Sequence, residues 1–128
     1  MRILIYISVI FLPTFVVAQL ITSTGQSPTS LVQNVLLGPG VTVSNINYNG
    51  SPAAIGYFNG AGTNIGITEG IVMTTGTVLN NGSGPHGPNN AAGSGIDNNV
   101  GGSGLLSNLI GGATTLNAAI LEFDFVPY

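Results

Sequence analysis

Apolar residues in this chain come in short runs broken by Gly and Asn, and the densest stretch is Ser51 to Gly76, SPAAIGYFNGAGTNIGITEGIVMTTG. Ala54, Ile55, Tyr57 and Phe58 make one run and Ile71, Val72 and Met73 a second, rich in the β-branched and aromatic types that suit a pleated, half-buried surface. The spacing predicts strands over Ala53 to Phe58 and Gly70 to Thr75, joined by a loop from Gly62 to Thr68. Upstream, Val41 to Tyr48 alternates in polarity, but its buried face is ambiguous. Val41 and Val43 point one way, with Asn45, while Thr42, Ser44, Ile46 and Tyr48 point the other. Asn49-Gly50 follows directly and fits a tight turn with positive φ at both central residues, so a hairpin from this strand into Ala53 to Phe58 is expected.

Helical signals are fewer. Ser27 is placed as an N-cap and Pro28 as the first helical residue, where its missing N–H costs nothing. Leu31, Val32, Val35 and Leu36 then form one apolar stripe, and Gly38-Pro39-Gly40 stops it, so a brief helix laid over a sheet is expected. Gly76 to Gly112 is a Gly, Asn and Ser tract with too little apolar surface to offset the entropy of ordering it. Leu105, Leu106, Leu109 and Ile110 interrupt it at helical spacing, predicting a turn or two tucked against the sheet. The last strand, Ala118 to Val126, alternates Leu121, Phe123 and Phe125 with Glu122 and Asp124, giving a buried face and an acidic one. The elements add up to an all-β fold: a partial β-sandwich or jelly-roll-like module with one or two short helices and a long Gly/Asn-rich loop.

The N-terminus has a different pattern. Met1 to Ala18 carries one basic residue, an apolar run from Ile3 to Phe11, a break at Pro13 and a small-residue exit at Val16-Val17-Ala18, the layout of a secretory signal cleaved before Gln19. An uncleaved anchor needs about 20 consecutive apolar residues, and Pro13 and Thr14 interrupt this run. Gln19 to Gln26 is polar and reads as a spacer, leaving Ser27 to Tyr128 as the module. The apolar final strand ends the sequence without a following neighbour, so a module truncated at its C-terminus is expected.

Charge narrows the function classes. Only Arg2, Glu69, Asp97, Glu122 and Asp124 are charged, 4% of the chain, against about a quarter in an ordinary globular domain. Removing Arg2 with a leader takes the net charge from -3 to -4 and leaves no cationic side chain for phosphate or anionic lipid. Nucleic-acid binding is excluded on that basis, and the mature chain is not expected to be membrane-embedded. The absence of Cys excludes disulfides and thiolate metal sites.

Candidate chemistry is sparse. His86, in Gly84-Pro85-His86-Gly87-Pro88, is the sole histidine, whereas a zinc site takes roughly three or four protein ligands; a solvated loop residue accounts for it. Asp97-Asn98-Asn99 has the oxygens calcium prefers but equally fits a turn. The following Gly101 to Leu106 departs from the nonapeptide calcium repeat at Leu106, where Asp is required. Glu122 and Asp124 share a strand face about 7 Å apart, compatible with half an ion site, with a glycosidase carboxylate pair or with a solvated acidic face. The weak calcium candidates are therefore Asp97, Glu122 and Asp124, and no other cofactor is expected. The glycine runs lack the Lys of a phosphate loop, and no Ser has the flanking glycines of a nucleophile elbow. Asn49-Gly50-Ser51 and Asn81-Gly82-Ser83 match the glycosylation pattern, which has meaning only in a eukaryotic secretory route. Tyr48, Tyr57 and Phe58 are the candidates for a sugar-stacking platform.

The order of LVQNVLLGPGVTVSNINYNGSPAAIGYFNGAGTNIGITEGIVMTTG, a glycine-rich gap and NAAILEFDFVP closely resembles the N-terminal half of the choice-of-anchor L domain family of bacterial surface and secreted proteins, often of the Bacteroidota. The resemblance covers Leu31 to Gly76 and Asn117 to Pro127. It implies an extracellular β-rich module and brings no catalytic activity. The family's acidic Gly-Asp-x-x-Leu segment and Asp-Ala pair are replaced here by Gly102-Ser103-Gly104-Leu105-Leu106 and Asn117-Ala118, which removes two carboxylates from any inherited ion site. The expected function is a non-enzymatic extracellular or cell-surface module for display, adhesion or interaction, with an extracellular protein or glycan as partner. The alternative is a carbohydrate-binding or accessory module of a polysaccharide-degrading protein.

Overall fold

In the computed structural model, which describes residues 20–80, 83–85 and 96–127, Ser27 and Pro28 start a helix as their residue types require. The expected leader and His86 lie outside the described residues. Ser27 is extended, with φ -67° and ψ 147°, and its hydroxyl accepts the Ser30 N–H at 3.1 Å. Helix α1 (Pro28–Leu31) runs directly into a wider turn, Val32–Leu36, whose closing bond is donated by the Leu37 N–H to the Val32 carbonyl at 3.1 Å. Leu31 and Val32 are fully buried, each stabilising the fold by about 1.5–3 kcal/mol relative to an exposed side chain. The predicted stripe is only half realised, because Leu36 is left exposed.

The class is all-β, as expected. Strands β1 (Ile21–Ser23), β3 (Ile55–Asn59) and β4 (Glu69–Met73) form a three-stranded antiparallel sheet in the order β1-β3-β4. Strands β2 (Val41–Asn49) and β7 (Ile120–Pro127) form a separate antiparallel pair, and β5 (Leu79–Asn80) with β6 (Ser83–Pro85) a small ribbon. Helix α1 packs on both β2 and β3, and the wide turn after it packs on β4, so this helical segment joins the two larger sheets. Ala54, Ile55, Val78 and Ala118 are also buried. The stretch Gln19 to Gln26, expected as a spacer, contains β1, which pairs with β3 through Thr22↔Phe58.

The hairpin predicted at Asn49-Gly50 does not form. β2 pairs with β7, from Val41↔Pro127 to Asn49↔Ile120, and neither Asn49 nor Gly50 has positive φ. A 3₁₀ turn, Pro52–Ala54, follows instead. The Ser51 hydroxyl accepts the Ala53 N–H at 3.3 Å, and Tyr48 Oη donates to the Ser51 carbonyl at 2.9 Å. Glycine at position 50 serves close approach rather than a turn: a Cβ there would stand 2.6 Å from Tyr48 Oη and 2.9 Å from the Ala118 carbonyl oxygen.

The ambiguous face of β2 is resolved by a bulge. Ser44 faces Asp124 and Asn47 faces Glu122, so β2 advances three residues while β7 advances two. The extra residue is accommodated at Asn45, which takes φ 53°, a left-handed conformation that Asn tolerates better than most residues. The bulge switches the phase of the alternation. Val41, Val43, Ile46 and Tyr48 are therefore all half-buried, while Thr42, Ser44, Asn47 and Asn49 are exposed. Asn45 Nδ2 donates to Asp124 Oδ2 at 2.5 Å, tying the bulge to β7.

Two further expectations are corrected. Helix α2 (Gly104–Leu109) forms where predicted but is not tucked against a sheet, since Leu105, Leu109 and Ile110 are exposed, Leu109 at 75%. On β7, Phe125 is 61% exposed rather than buried; its ring lies 6.4 Å from that of Phe123, between centroids. β2 is the single strand paired to β7 among the described residues, which leaves the end of β7 uncovered.

Urea unfolding of the purified chain checks these assignments. Asn45→Gly keeps the backbone but loses the Asp124 bond, an expected cost of about 1 kcal/mol. Asn45→Val adds about 1–2 kcal/mol for a left-handed β-branched residue. Leu31→Ala is expected to cost about 2–5 kcal/mol. The buried Thr22 hydroxyl has no hydrogen-bond partner among the described residues, so Thr22→Val is expected to stabilise by about 1 kcal/mol.

Candidate functional site

The described carboxylates are dispersed, and three of them accept hydrogen bonds that hold the backbone or a neighbouring strand in place. Asp97 Oδ1 accepts the Asn99 N–H at 2.8 Å, making Asp97-Asn98-Asn99 a turn. Its carboxyl is held below the usual range, chiefly by that N–H and then by the Asn117 side chain. Asn98 Nδ2 donates to the Gly76 carbonyl at 2.5 Å, and Asn117 Oδ1 accepts the Val100 N–H at 3.3 Å, so the cluster ties the end of the β4 segment to the lead-in of β7. Asp124 accepts from Asn45, as above. Glu69 Oε2 accepts the Tyr57 hydroxyl at 2.8 Å, and this bond, with smaller contributions from desolvation and the carboxylate charge, raises the Tyr57 pKa. Glu122 is exposed on β7, opposite Asn47.

The calcium candidates Asp97, Glu122 and Asp124 are thus divided between a turn and a strand. Among the described residues no three His, Cys, Asp or Glu side chains converge as metal ligands would. The three aromatics proposed as a sugar platform do not share a surface. Tyr57 and Phe58 are consecutive on β3 and so face opposite sides of the sheet, while Tyr48 belongs to the β2–β7 pair. Phe58 lies across from Gly70, where a Cβ would stand 2.7 Å from its ring.

A cleft of about 280 Å³ opens between the β1–α1 connection and the turn after β2. It is lined by Gly25, Gln26, Ser27, Pro28, Tyr48, Gly50, Pro52 and Ile55. Burial raises the Tyr48 pKa. The polar side chains Gln26 and Ser27 are engaged internally: Gln26 Nε2 donates to Ser23 Oγ at 2.9 Å, and Ser27 caps α1. Such a cleft fits a small apolar or ring-shaped group and supplies no acid, base or nucleophile with a free partner. It escapes sequence reading because its walls come from two segments, 25–28 and 48–55, that meet only when α1 packs on β2 and β3.

These features define an all-β module with an uncharged cleft and dispersed carboxylates. The chain belongs to the choice-of-anchor L domain family: the family model, Choice-of-anchor L domain, matches residues 19–128. The match is wider than the two blocks that carry the resemblance, and it includes β1 and the glycine-rich tract. Neither a curated protein nor a solved structure matches the chain. The family places the chain with surface-associated bacterial modules, and no helix among the described residues is long and apolar enough to cross a membrane.

The Asp97 turn is directly testable by carboxyl NMR titration. The Asp97 midpoint is expected below the ordinary aspartate range, and Asn117→Gly, which keeps the positive φ of 51° at that position, is expected to move it back upward. Because the folded-state value is depressed, the associated stability is present above the unfolded-state pKa and is lost as pH falls through the folded one.

Proposed function

We propose that this protein is a non-enzymatic extracellular module of a secreted or surface-attached bacterial protein, acting in display, adhesion or interaction. The observation that carries the reading is the use of Asp97, Asp124 and Glu69, three of the four carboxylates in the chain, as acceptors of bonds that hold a turn, a bulge and a strand pair. General acid–base chemistry needs a carboxyl or imidazole within reach of a substrate proton. Here three of the four acidic side chains hold the architecture, and none of the four lines the cleft. Export follows from the Met1 to Ala18 pattern, with Gln19 as the first residue of the mature chain.

The test has two arms. Expressed in a bacterial host with its own N-terminus, the full chain is expected outside the cytoplasm and to begin at Gln19 on N-terminal sequencing; retention of an uncleaved cytosolic product removes the export reading. Incubated with a panel of polysaccharides, it is expected to release no new reducing ends, and turnover of any glycan ends the non-enzymatic reading. Retention on a polysaccharide without turnover would transfer the role to carbohydrate binding. Thermal unfolding in millimolar Ca²⁺ and in chelator is expected to superimpose, since a ligand that binds only the native state raises its midpoint.

A further inference from the structure

We propose that Asn49-Gly50, at the end of β2, is a site of spontaneous covalent modification, in which Asn49 loses its side-chain amide and becomes aspartate or isoaspartate. Three Asn-Gly pairs occur in the chain, Asn49-Gly50, Asn59-Gly60 and Asn81-Gly82, and the last lies outside the described residues. Asparagine is thermolabile, most of all before glycine, where no side chain keeps the next backbone nitrogen away from Cγ. The Gly50 nitrogen, on losing its proton, bonds to Asn49 Cγ. The Cγ–Nδ2 bond then breaks, and the amide nitrogen leaves as ammonia with that proton, closing a succinimide ring. Water opens the ring in one of two ways. Breaking the new bond to Cγ gives aspartate, and breaking the original peptide bond gives isoaspartate, whose main chain runs through Cβ and Cγ. Water is the only reactant consumed.

The fold treats the two described pairs unequally. Asn49 is exposed, and its side chain has no hydrogen-bond partner among the described residues. It ends a strand that, among those residues, has β7 as its single neighbour, with the register closing at Asn49↔Ile120. Asn59 is half-buried on β3, which is flanked on both sides, and it faces Ile21 on β1 and Glu69 on β4. Its Oδ1 accepts the Ala61 N–H at 2.9 Å, the Gly60 N–H is donated to the Thr68 carbonyl at 2.8 Å, and a Cβ at the buried Gly60 would run into the Ile67 carbonyl oxygen. Both the attacking nitrogen and the amide it must reach are therefore held in place at Asn59. Ring closure requires the asparagine to leave its extended conformation, and such local opening costs least at a strand end with few neighbours.

The modification adds a carboxylate to a chain that has four acidic side chains, at a point where Gly50 closely approaches Tyr48 and the Ala118 carbonyl. The extra main-chain carbon of isoaspartate displaces Gly50 from that packing, so this product loosens the end of the β2–β7 pair more than aspartate does. The inference is independent of the interaction role proposed above.

The test ages the purified full chain in mildly alkaline buffer, folded and in urea, and follows both asparagines by mass spectrometry after pepsin digestion in acid, which halts further conversion. In urea the two pairs are expected to convert at like rates. In the folded chain Asn49 is expected to convert about tenfold faster than Asn59 or more, and an isoaspartate methyltransferase is expected to label position 49. Equal rates at the two positions in the folded chain overturn the proposal, as does faster conversion of Asn59. An Asn49 that stays intact in the folded chain while it converts in urea also overturns it. The N49D chain separates the added charge from the added carbon. Its urea midpoint is expected above that of the aged isoaspartate fraction, and equal midpoints overturn the loosening of the β2–β7 pair.

Discussion

The pairing of β2 with β7 joins segments far apart in the chain, and it works because one extra residue at Asn45 puts two out-of-phase halves of β2 onto a common face. Without that residue, Val41 and Val43 would face one way and Ile46 and Tyr48 the other, and a strand with apolar groups on both faces has no stable place at the side of a small sheet. The left-handed φ at Asn45 and its bond to Asp124 are therefore what allow Tyr48 to meet Ser51 and line the cleft, and Ala118 to sit beside Gly50. The helical segment then closes over this pair and the three-stranded sheet together, with Leu31 and Val32 at the junction.

Local chemistry was readable from the residues; the choice of pairing partner was not. Ser27 and Pro28 announce α1 because a cap and a first-turn proline act within a few residues of themselves. The four strands expected, β2, β3, β4 and β7, fall within a residue or two of their places for the same reason, whereas β1, β5 and β6 form where a spacer and a loop were expected. Asn49-Gly50 misleads because its turn preference is worth little against the 3₁₀ turn that Ser51 and Pro52 build immediately after it, with Tyr48 bonded onto Ser51. The one signal of the bulge was the phase conflict between Val43 and Ile46, visible in the sequence as an ambiguity. The exposed stripe of α2 was likewise beyond the reach of periodicity, which reports that a helix has an apolar face and not what covers it.

For the candidate site the balance is similar. The turn at Asp97-Asn98-Asn99 was legible, because Asp and Asn bond their own backbone two residues on. The Tyr57–Glu69 bond was not, since it depends on β3 and β4 pairing in the register that sets Asn59 opposite Glu69. The carboxylates illustrate how a chain with so little charge uses it: each acid engaged by a bond stabilises a place where the backbone or strand pairing departs from regular geometry or needs anchoring. The cleft was invisible because none of its walls is remarkable alone.

The bond between Asn45 and Asp124 spans 79 residues of sequence. A contact of that range is costly in chain entropy until its far end is in place, so topology of this kind is associated with slow folding. As the polypeptide emerges N-terminus first, β2 is synthesised long before the strand that completes it. Its nine residues, with valine, isoleucine and tyrosine uncovered, stay vulnerable to aggregation until then, which makes a holding chaperone more consequential for this chain than for one built from local hairpins.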